Sequence, residues 1–208
     1  TFARNPYNTA HATGGSSGGT AAGLAANFGV VGLGSDTFGS IRNPANNNSL
    51  VGLRPSWALI SRAGMIGLYD SRDTAGPLAR TVTDLVTLLD VLVGVDKADS
   101  ATTNAESHIA STYTSALKID GARGKRLGVL RQAFPENCAD PNVTALVNKA
   151  VKSLKKSGAE IIDPFIIPEF NYFKPQHHPL SEVRAAIESY LSTTSEQFPK
   201  TIKEIVES

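Results

Sequence analysis

Small side chains dominate the sequence from Gly14 to Asn27, and this feature restricts the fold more than any other. The stretch opens with Gly-Gly-Ser-Ser-Gly-Gly and continues with threonine, alanine, glycine and one leucine. A flexible glycine-serine linker is the simplest alternative, but linkers are not usually followed at once by a segment suited to close packing. We therefore predict a tightly packed helix over residues 18–27, which neighbouring backbones can approach closely, directly after Ser16 and Ser17.

Apolar runs and helical spacing predict an alternation of short strands and helices up to about residue 95. The clearest element is an amphipathic helix in which four leucines between residues 85 and 92 recur at helical spacing. Thr83 is expected to cap this helix and Gly94 to end it. The other expected elements are buried strands at 30–33 and 50–53, a loop at 34–40 and a short helix at 42–49.

The sequence changes in character after residue 95. Residues 96–115 are polar and predict a surface connection or a weakly structured excursion. A strand at 125–130, a helix at 140–157 and a strand at 159–162 then follow with short joints, which is typical of a βαβ unit with parallel strands. Two more helices are expected, at 181–193 and 200–206.

Composition excludes several classes of function. The 208 residues include 20 basic and 19 acidic side chains, so the net charge of +1 gives no electrostatic reason to expect a nucleic-acid ligand. No apolar run reaches the roughly 20 residues that a membrane span needs. The single cysteine, Cys138, cannot form an internal disulfide, which favours a reducing compartment and predicts a cytoplasmic protein. No cluster of His, Cys, Asp and Glu has metal-ligand spacing, so no metal is expected.

Two serine-containing segments stand out as candidates for chemistry, one at 14–20 and one at 34–42. Gly15-Ser16-Ser17-Gly18-Gly19 formally matches a nucleophile elbow centred on Ser17, but no buried strand precedes it as that motif requires. A phosphate-binding loop is also disfavoured, because no Gly-Lys-Ser/Thr follows the glycines.

The ordered motifs of the first 84 residues resemble the amidase-signature family. The resemblance is dense from Arg4 to Asp84 and looser afterwards. It is carried by Arg4-Asn5-Pro6-Tyr7-Asn8, Gly14 to Gly19, Gly34-Ser35-Asp36-Thr37, Gly39-Ser40-Ile41-Arg42, Pro44-Ala45, Val51-Gly52-Leu53-Arg54-Pro55-Ser56, Ser61-Arg62-Ala63-Gly64, Asp73-Thr74-Ala75-Gly76-Pro77 and Ala79-Arg80-Thr81-Val82-Thr83-Asp84.

The resemblance implies an α/β amidase-signature fold, with a mixed β-sheet core surrounded by helices, of which this chain is part of one domain. It divides the chain into a signature core at 1–95, a polar connection at 96–123, and the βαβ unit with following helices at 124–208. It implies hydrolysis of a small-molecule carboxylic amide without a cofactor or metal. A direct nucleic-acid partner and a membrane span are not implied, and a homodimer is left open.

The resemblance also assigns roles residue by residue. Ser40 matches the nucleophile that forms an acyl-enzyme, and Ser16 matches the serine that takes part in a cis peptide and shuttles the proton. The backbone N–H groups of a turn match the oxyanion hole, which such a glycine-containing turn can form by pointing several donors into one concavity. The oxyanion residues are Thr37, Phe38, Gly39 and Ser40, and the supporting residues are Ser17, Asp36 and Arg42.

The catalytic base of this family is a lysine upstream of the serine motif, and the first lysine here is Lys97. We therefore expect a central fragment of a longer enzyme that is inactive alone. Two alternatives stay open: a glutamine-hydrolysing subunit of a tRNA-dependent amidotransferase, and a non-catalytic, truncated amidase-like protein.

Two departures from the family pattern concern the substrate. Phe38 stands where many relatives have glycine, so its ring either lines the acyl pocket or, if the position requires positive φ, is strained. Trp57-Ala58 replaces a more usual aromatic-glycine step. The histidines are expected in loops or at the surface, although a Ser-His-Asp triad through His177 or His178 remains formally open; the other two are His11 and His108.

Overall fold

The computed structural model describes residues 3–135, 139–170 and 180–207, and the chain divides into two compact units. One unit consists of Thr1–Ser115 and His178–Ser208, and the other of Ala116–His177. In chain order the described α-helices and strands are α1 Gly18–Ala25, β1 Val31–Asp36, α2 Arg42–Asn47, β2 Val51–Gly52, β3 Thr74–Ala79, α3 Val82–Leu92, β4 Arg126–Gly128, α4 Pro141–Lys156, β5 Glu160–Ile162, α5 Leu180–Ser192 and α6 Ile202–Glu207.

A three-stranded antiparallel sheet forms the centre of the first unit. The strand order is β1-β3-β2, with Val31 opposite Ala79 and Asp36 opposite Thr74. All six residues of β3 are buried. The carboxyl end of β1 therefore carries Asp36 directly from the sheet into the segment that contains Ser40.

The core packs two helices against β3. It consists of buried Ala21 and Leu24 from α1, Ile41 and Ala45 at α2, and Leu78 from β3. Because two of the four residues that α1 and α2 contribute to this cluster are alanine, the helices can lie close to the sheet. A second cluster beneath α3 contains Ile60, Ala75 and Leu89.

The predicted helices at 18–27, 42–49, 181–193 and 200–206 are confirmed, with ends that differ by a few residues. The predicted cap of α3 is wrong. Thr81, rather than Thr83, is the N-cap, because its hydroxyl oxygen accepts a hydrogen bond from the Asp84 N–H at 3.1 Å.

Two expectations about strands need correction. β1 is longer than predicted, extending to Asp36, and one side is open, with Leu33 52% exposed. The central strand β3 is absent from the predicted elements, because Gly76 and Pro77 are unusual inside a sheet. Pro77 lacks an N–H group, but its carbonyl oxygen still accepts a hydrogen bond from the Leu53 N–H at 3.1 Å, next to β2.

Of the two alternatives predicted for the polar segment, a surface connection fits Ser100–His108, which is mostly exposed. The alternative of weak structure is wrong there, because these residues form a 3₁₀ segment. The side chain of Thr102 is fully buried, and its hydroxyl donates to the Asp99 carbonyl at 2.7 Å. Arg62 binds both carboxylate oxygens of Asp99 at 2.9 Å. These polar contacts, which no hydrophobic pattern indicates, attach the segment to its unit.

The second unit confirms the βαβ prediction. β4 and β5 pair in parallel, with Leu127 opposite Ile161, and α4 connects them. Asp140 caps α4 by accepting from the N–H groups of Asn142 and Val143. Gly158, at φ +92°, turns the chain from α4 into β5.

Cys138, His177 and His178 lie outside the described residues. Within the described ranges, no helix has the length and apolar character needed to cross a membrane.

Replacing Gly76 by alanine is expected to lower the free energy of unfolding by about 3 kcal/mol. A Cβ atom at this position would lie 2.2 Å from the Leu53 carbonyl oxygen, which is backbone and cannot rotate away. Gly23→Ala is the matched control: its Cβ would meet nothing within 4 Å, and alanine in a helix should stabilise by about 0.5–1 kcal/mol. Urea unfolding of both variants measures the difference, and equal midpoints would contradict the packing around β3.

Candidate active site

The turn from Asp36 to Ser40 is held by the buried carboxylate at its start. Asp36 is fully buried, and its Oδ1 accepts from the Gly39 N–H at 2.6 Å. Its Oδ2 accepts from the Ile41 N–H at 3.1 Å. The Arg42 guanidinium donates to both oxygens, through Nε at 3.1 Å and Nη2 at 3.2 Å. One carboxylate therefore fixes the backbone on both sides of Ser40.

Burial by itself would raise the pKa of Asp36. The hydrogen bonds from Arg42, Gly39 and Ile41, together with the charge of Arg42, outweigh it and hold the pKa below its ordinary value. Arg54 adds a second cation, with its Nε 3.4 Å from Oδ1 of Asp36 and 3.3 Å from the Asp36 carbonyl oxygen. The carboxylate therefore stays ionised at neutral pH and serves as a structural anchor.

The Gly39 N–H is one of the four predicted oxyanion donors, and the structure directs it to Asp36. The Gly39 N–H therefore forms its hydrogen bond within the turn, to a carboxylate three residues earlier in the chain. Gly39 adopts φ +117°, a conformation that side chains rarely allow. The glycine at this position is therefore explained by the path of the backbone.

The first serine segment lies against the same turn. The Ser17 N–H donates to the Ser40 carbonyl at 3.1 Å, and the Gly15 N–H donates to Oδ1 of Asn43 at 3.1 Å. The Ser17 hydroxyl accepts from the Ser35 N–H and donates to the Ser35 carbonyl, both at 3.2 Å. The Gly15–Ser16 peptide bond is cis. Backbone and side-chain contacts thus bring the two predicted serine segments together.

Close approach explains two glycines of these segments. A Cβ at Gly34 would lie 2.6 Å from the Ser17 hydroxyl oxygen, so a side chain there would push the first segment away from β1. A Cβ at Gly14, which has φ +72°, would lie 2.2 Å from Oδ1 of Asn43. Neither glycine acts as a flexible linker, because neighbouring atoms already occupy the space that a side chain would need at both positions.

The two predicted catalytic serines differ in exposure. Ser16 is exposed and Ser40 is half-buried. Ser40 follows the turn immediately and precedes α2. Ser40 is four residues past the end of β1, so its hydroxyl lies on the segment that joins the sheet to α2.

Asp73 connects the turn from Asp36 to Ser40 to a second loop. Its Oδ1 accepts from the Thr37 hydroxyl at 2.6 Å, and its Oδ2 accepts from the N–H groups of Leu68 and Tyr69 at 2.5 and 2.9 Å. The side chain is buried. Sequence reasoning misses the roles of Asp73 and Arg54, although both lie in motifs that carry the family resemblance, because their partners are distant along the chain.

Phe38 has an ordinary φ, so the alternative of a strained backbone at this position is wrong. Its ring packs edge-on against Tyr69, with centroids 5.6 Å apart, and the Arg72 guanidinium carbon lies 5.3 Å from the centroid of the Phe38 ring. The unusual dihedral occurs instead at the second departure, where buried Ala58 adopts φ +61°.

The two described histidines make no hydrogen bond to the residues of this site. His11 and His108 are both exposed, as expected for loop or surface histidines. A cavity of about 650 Å³ in the first unit is lined by residues of the 62–73 loop, 98–99 and α5. It includes Asp73 but neither Ser16 nor Ser40. Glu182 of α5 accepts from the Ser71 hydroxyl at 2.7 Å beside this cavity.

Residues 1–207 match the family model described as Amidase, and the chain belongs to this family, the amidase-signature enzymes. A glutamyl-tRNA(Gln) amidotransferase subunit from Lachnospira eligens is 38% identical over 183 residues, covering 88% of this chain and 37% of that protein. A probable amidase from Arabidopsis thaliana is 38% identical over 166 residues, covering 79% of this chain and 30% of that protein.

Solved structures show the same fold. The native peptide amidase from Stenotrophomonas maltophilia superimposes with a TM-score of 0.83 at 33% identity, covering 98% of this chain and 41% of that one. The corresponding glutamyl-tRNA(Gln) amidotransferase subunit from Thermotoga maritima gives 0.77 at 28% identity, covering 99% of this chain and 42% of that one. The predicted fold class is confirmed, and the chain spans about two fifths of the length of these relatives.

Proposed function

We propose that this chain carries the nucleophile, the proton shuttle and the oxyanion turn of an amidase that hydrolyses a carboxylic amide. One observation carries the proposal. A single buried carboxylate, that of Asp36, holds the backbone on both sides of Ser40, and the Ser17 N–H joins the first serine segment to the Ser40 carbonyl. A turn held so firmly matches the need of acyl transfer for donors already in place before the reaction.

In this mechanism Ser40 Oγ attacks the amide carbonyl carbon, and the carbonyl oxygen becomes an oxyanion. Backbone N–H groups of Thr37, Phe38 and Ser40 stabilise that oxyanion, while the Gly39 N–H holds the turn to Asp36. Ser16 relays the proton lost by Ser40 to the leaving nitrogen, so the C–N bond breaks and an amine or ammonia departs. Water then attacks the acyl-Ser40 ester and releases the carboxylic acid.

The base that accepts the first proton is proposed to be a lysine outside these 208 residues. The first lysine in the sequence is Lys97, which lies beyond both serine segments. A lysine acts as a base only when burial and neighbouring groups lower its pKa. Arg42 and Ser17 are assigned to support, since Arg42 neutralises Asp36 and Ser17 bridges to β1.

Covalent labelling tests the assignment. The full-length protein is treated with a fluorophosphonate, which forms a stable adduct with an activated serine, and the adduct is mapped by peptide mass spectrometry. We expect modification of Ser40 and none of Ser115, an exposed serine outside the site. An adduct on Ser17 with Ser40 unmodified would contradict the proposed nucleophile.

A second candidate is favoured by the relatives named as glutamyl-tRNA(Gln) amidotransferase subunits. In that case the amide is the side chain of glutamine, and a partner protein is needed to use the ammonia. Two assays separate the two candidate functions: glutamate formation from free glutamine, and ammonia release from simple amides. Hydrolysis of simple amides without glutaminase activity would rule out this candidate. The cytoplasmic location and the homodimer stay predictions.

A further inference from the structure

Phe38 is the exposed residue of the turn from Asp36 to Ser40. It lies between Thr37 and Gly39 in the oxyanion turn, two residues before Ser40. The residue is 55% exposed, although its ring contacts Tyr69 and Arg72. The ordinary φ shows that the backbone accommodates the side chain without strain.

The same residues that hold the turn also hold this ring. Asp73 accepts from the Thr37 hydroxyl and from the Tyr69 N–H, so the turn and the loop that carries Tyr69 are joined through one carboxylate. The Tyr69 ring meets Phe38 at an interplanar angle of 73°, the edge-to-face arrangement that aromatic pairs prefer. The contact with Tyr69 therefore holds the Phe38 ring in place two residues before Ser40.

Arg72 restricts which face of the Phe38 ring a ligand can contact. Its guanidinium lies over the Phe38 ring, 5.3 Å from the centroid, and the Arg54 Nη2 group anchors the Arg72 carbonyl at 2.8 Å. The guanidinium covers part of one side of the ring, while the residue as a whole stays exposed. A flat, apolar surface is thus presented next to the oxyanion turn.

We infer that Phe38, supported by Tyr69, is a specificity-determining residue that favours amides with an aryl group on the acyl side. This inference rests on the proposed function. An acyl carbon within reach of Ser40 and the oxyanion turn places its substituent beside residue 38. An aromatic ring there gains an offset or edge-to-face contact that a small aliphatic group cannot make.

The kinetic test compares benzamide with propionamide in the full-length protein, because both release ammonia and differ only in the acyl group. We expect Phe38→Gly to lower the ratio of their kcat/KM values about tenfold, and Phe38→Leu about threefold. Phe28→Gly, at a phenylalanine that is 89% exposed outside the turn, is the matched control.

A binding measurement separates this inference from the proposed function. In a Ser40→Ala background, the Kd values of benzamide and propionamide are measured by titration calorimetry with and without Phe38→Gly. A tenfold loss of the preference for benzamide supports the inference. If the full-length protein with Ser40 intact hydrolyses neither amide and the same loss is measured in the Ser40→Ala background, the proposed function is overturned and Phe38 remains the residue that sets the preference for an aryl ligand. An unchanged preference in both Phe38→Gly and Phe38→Leu overturns the inference.

Discussion

Replacing Ser40 by alanine is expected to lower kcat for amide hydrolysis in the full-length protein by about 10⁴-fold or more. Loss of the nucleophile removes the acyl-enzyme route, and only binding and oxyanion stabilisation remain to accelerate direct attack by water. The fold should persist, because Ser40 is half-buried and its structural contact is made by its backbone carbonyl, which alanine retains. Ammonia release from a primary amide measures the effect.

A matched serine controls for a general effect of the substitution. Ser115→Ala removes an exposed hydroxyl that donates to the nearby Thr112 carbonyl, and it should leave kcat unchanged. Both variants should unfold within about 2 °C of the unmodified protein, because neither removes a buried contact. If Ser40→Ala retained more than a tenth of the rate while folding normally, another group would have to be the nucleophile.

Features that neighbouring residues determine were accessible from the sequence. The helices α1 and α2 and the βαβ unit follow from spacing, small-residue packing and capping, each a matter of a few consecutive residues. The family resemblance assigns Asp36 and Arg42 as supporting residues, and six positions separate the two members of their ion pair. Family membership likewise rests on contiguous motifs.

Features that depend on distant partners were not accessible. Local propensity argues against a strand that contains Gly76 and Pro77, and only the strands on either side, β1 and β2, make β3 the buried centre of the sheet. The bond from Thr37 to Asp73 spans 36 positions, and that from Arg62 to Asp99 spans 37. No local pattern distinguishes such carboxylates from ordinary surface acids before the chain is folded.

Asp36→Asn is expected to lower the free energy of unfolding by about 3 kcal/mol and to reduce kcat by at least about 100-fold. The amide keeps the shape of the carboxylate, but its NH₂ group cannot accept hydrogen bonds, so several N–H donors around the turn lose their acceptor. Arg42 and Arg54 also lose the charge that pairs them. Asp70→Asn is the matched control, since that side chain is 76% exposed and its ion pair with Arg62 should be worth under about 1 kcal/mol.

The pKa of Asp36 also predicts how the stability difference caused by Asp36→Asn changes with pH. Although burial alone would raise it, the pKa of Asp36 in the folded protein lies below its ordinary value, because hydrogen bonds from Arg42, Gly39 and Ile41 prevail. Stabilisation by the carboxylate is therefore complete above the unfolded pKa of about 3.9 and is lost as pH falls through the lower, folded pKa. Urea unfolding at about pH 7 should show the full difference between the unmodified protein and Asp36→Asn, and at about pH 3 a smaller one. A difference that stayed constant or grew on acidification would show that the charge of Asp36 does not hold the turn around Ser40.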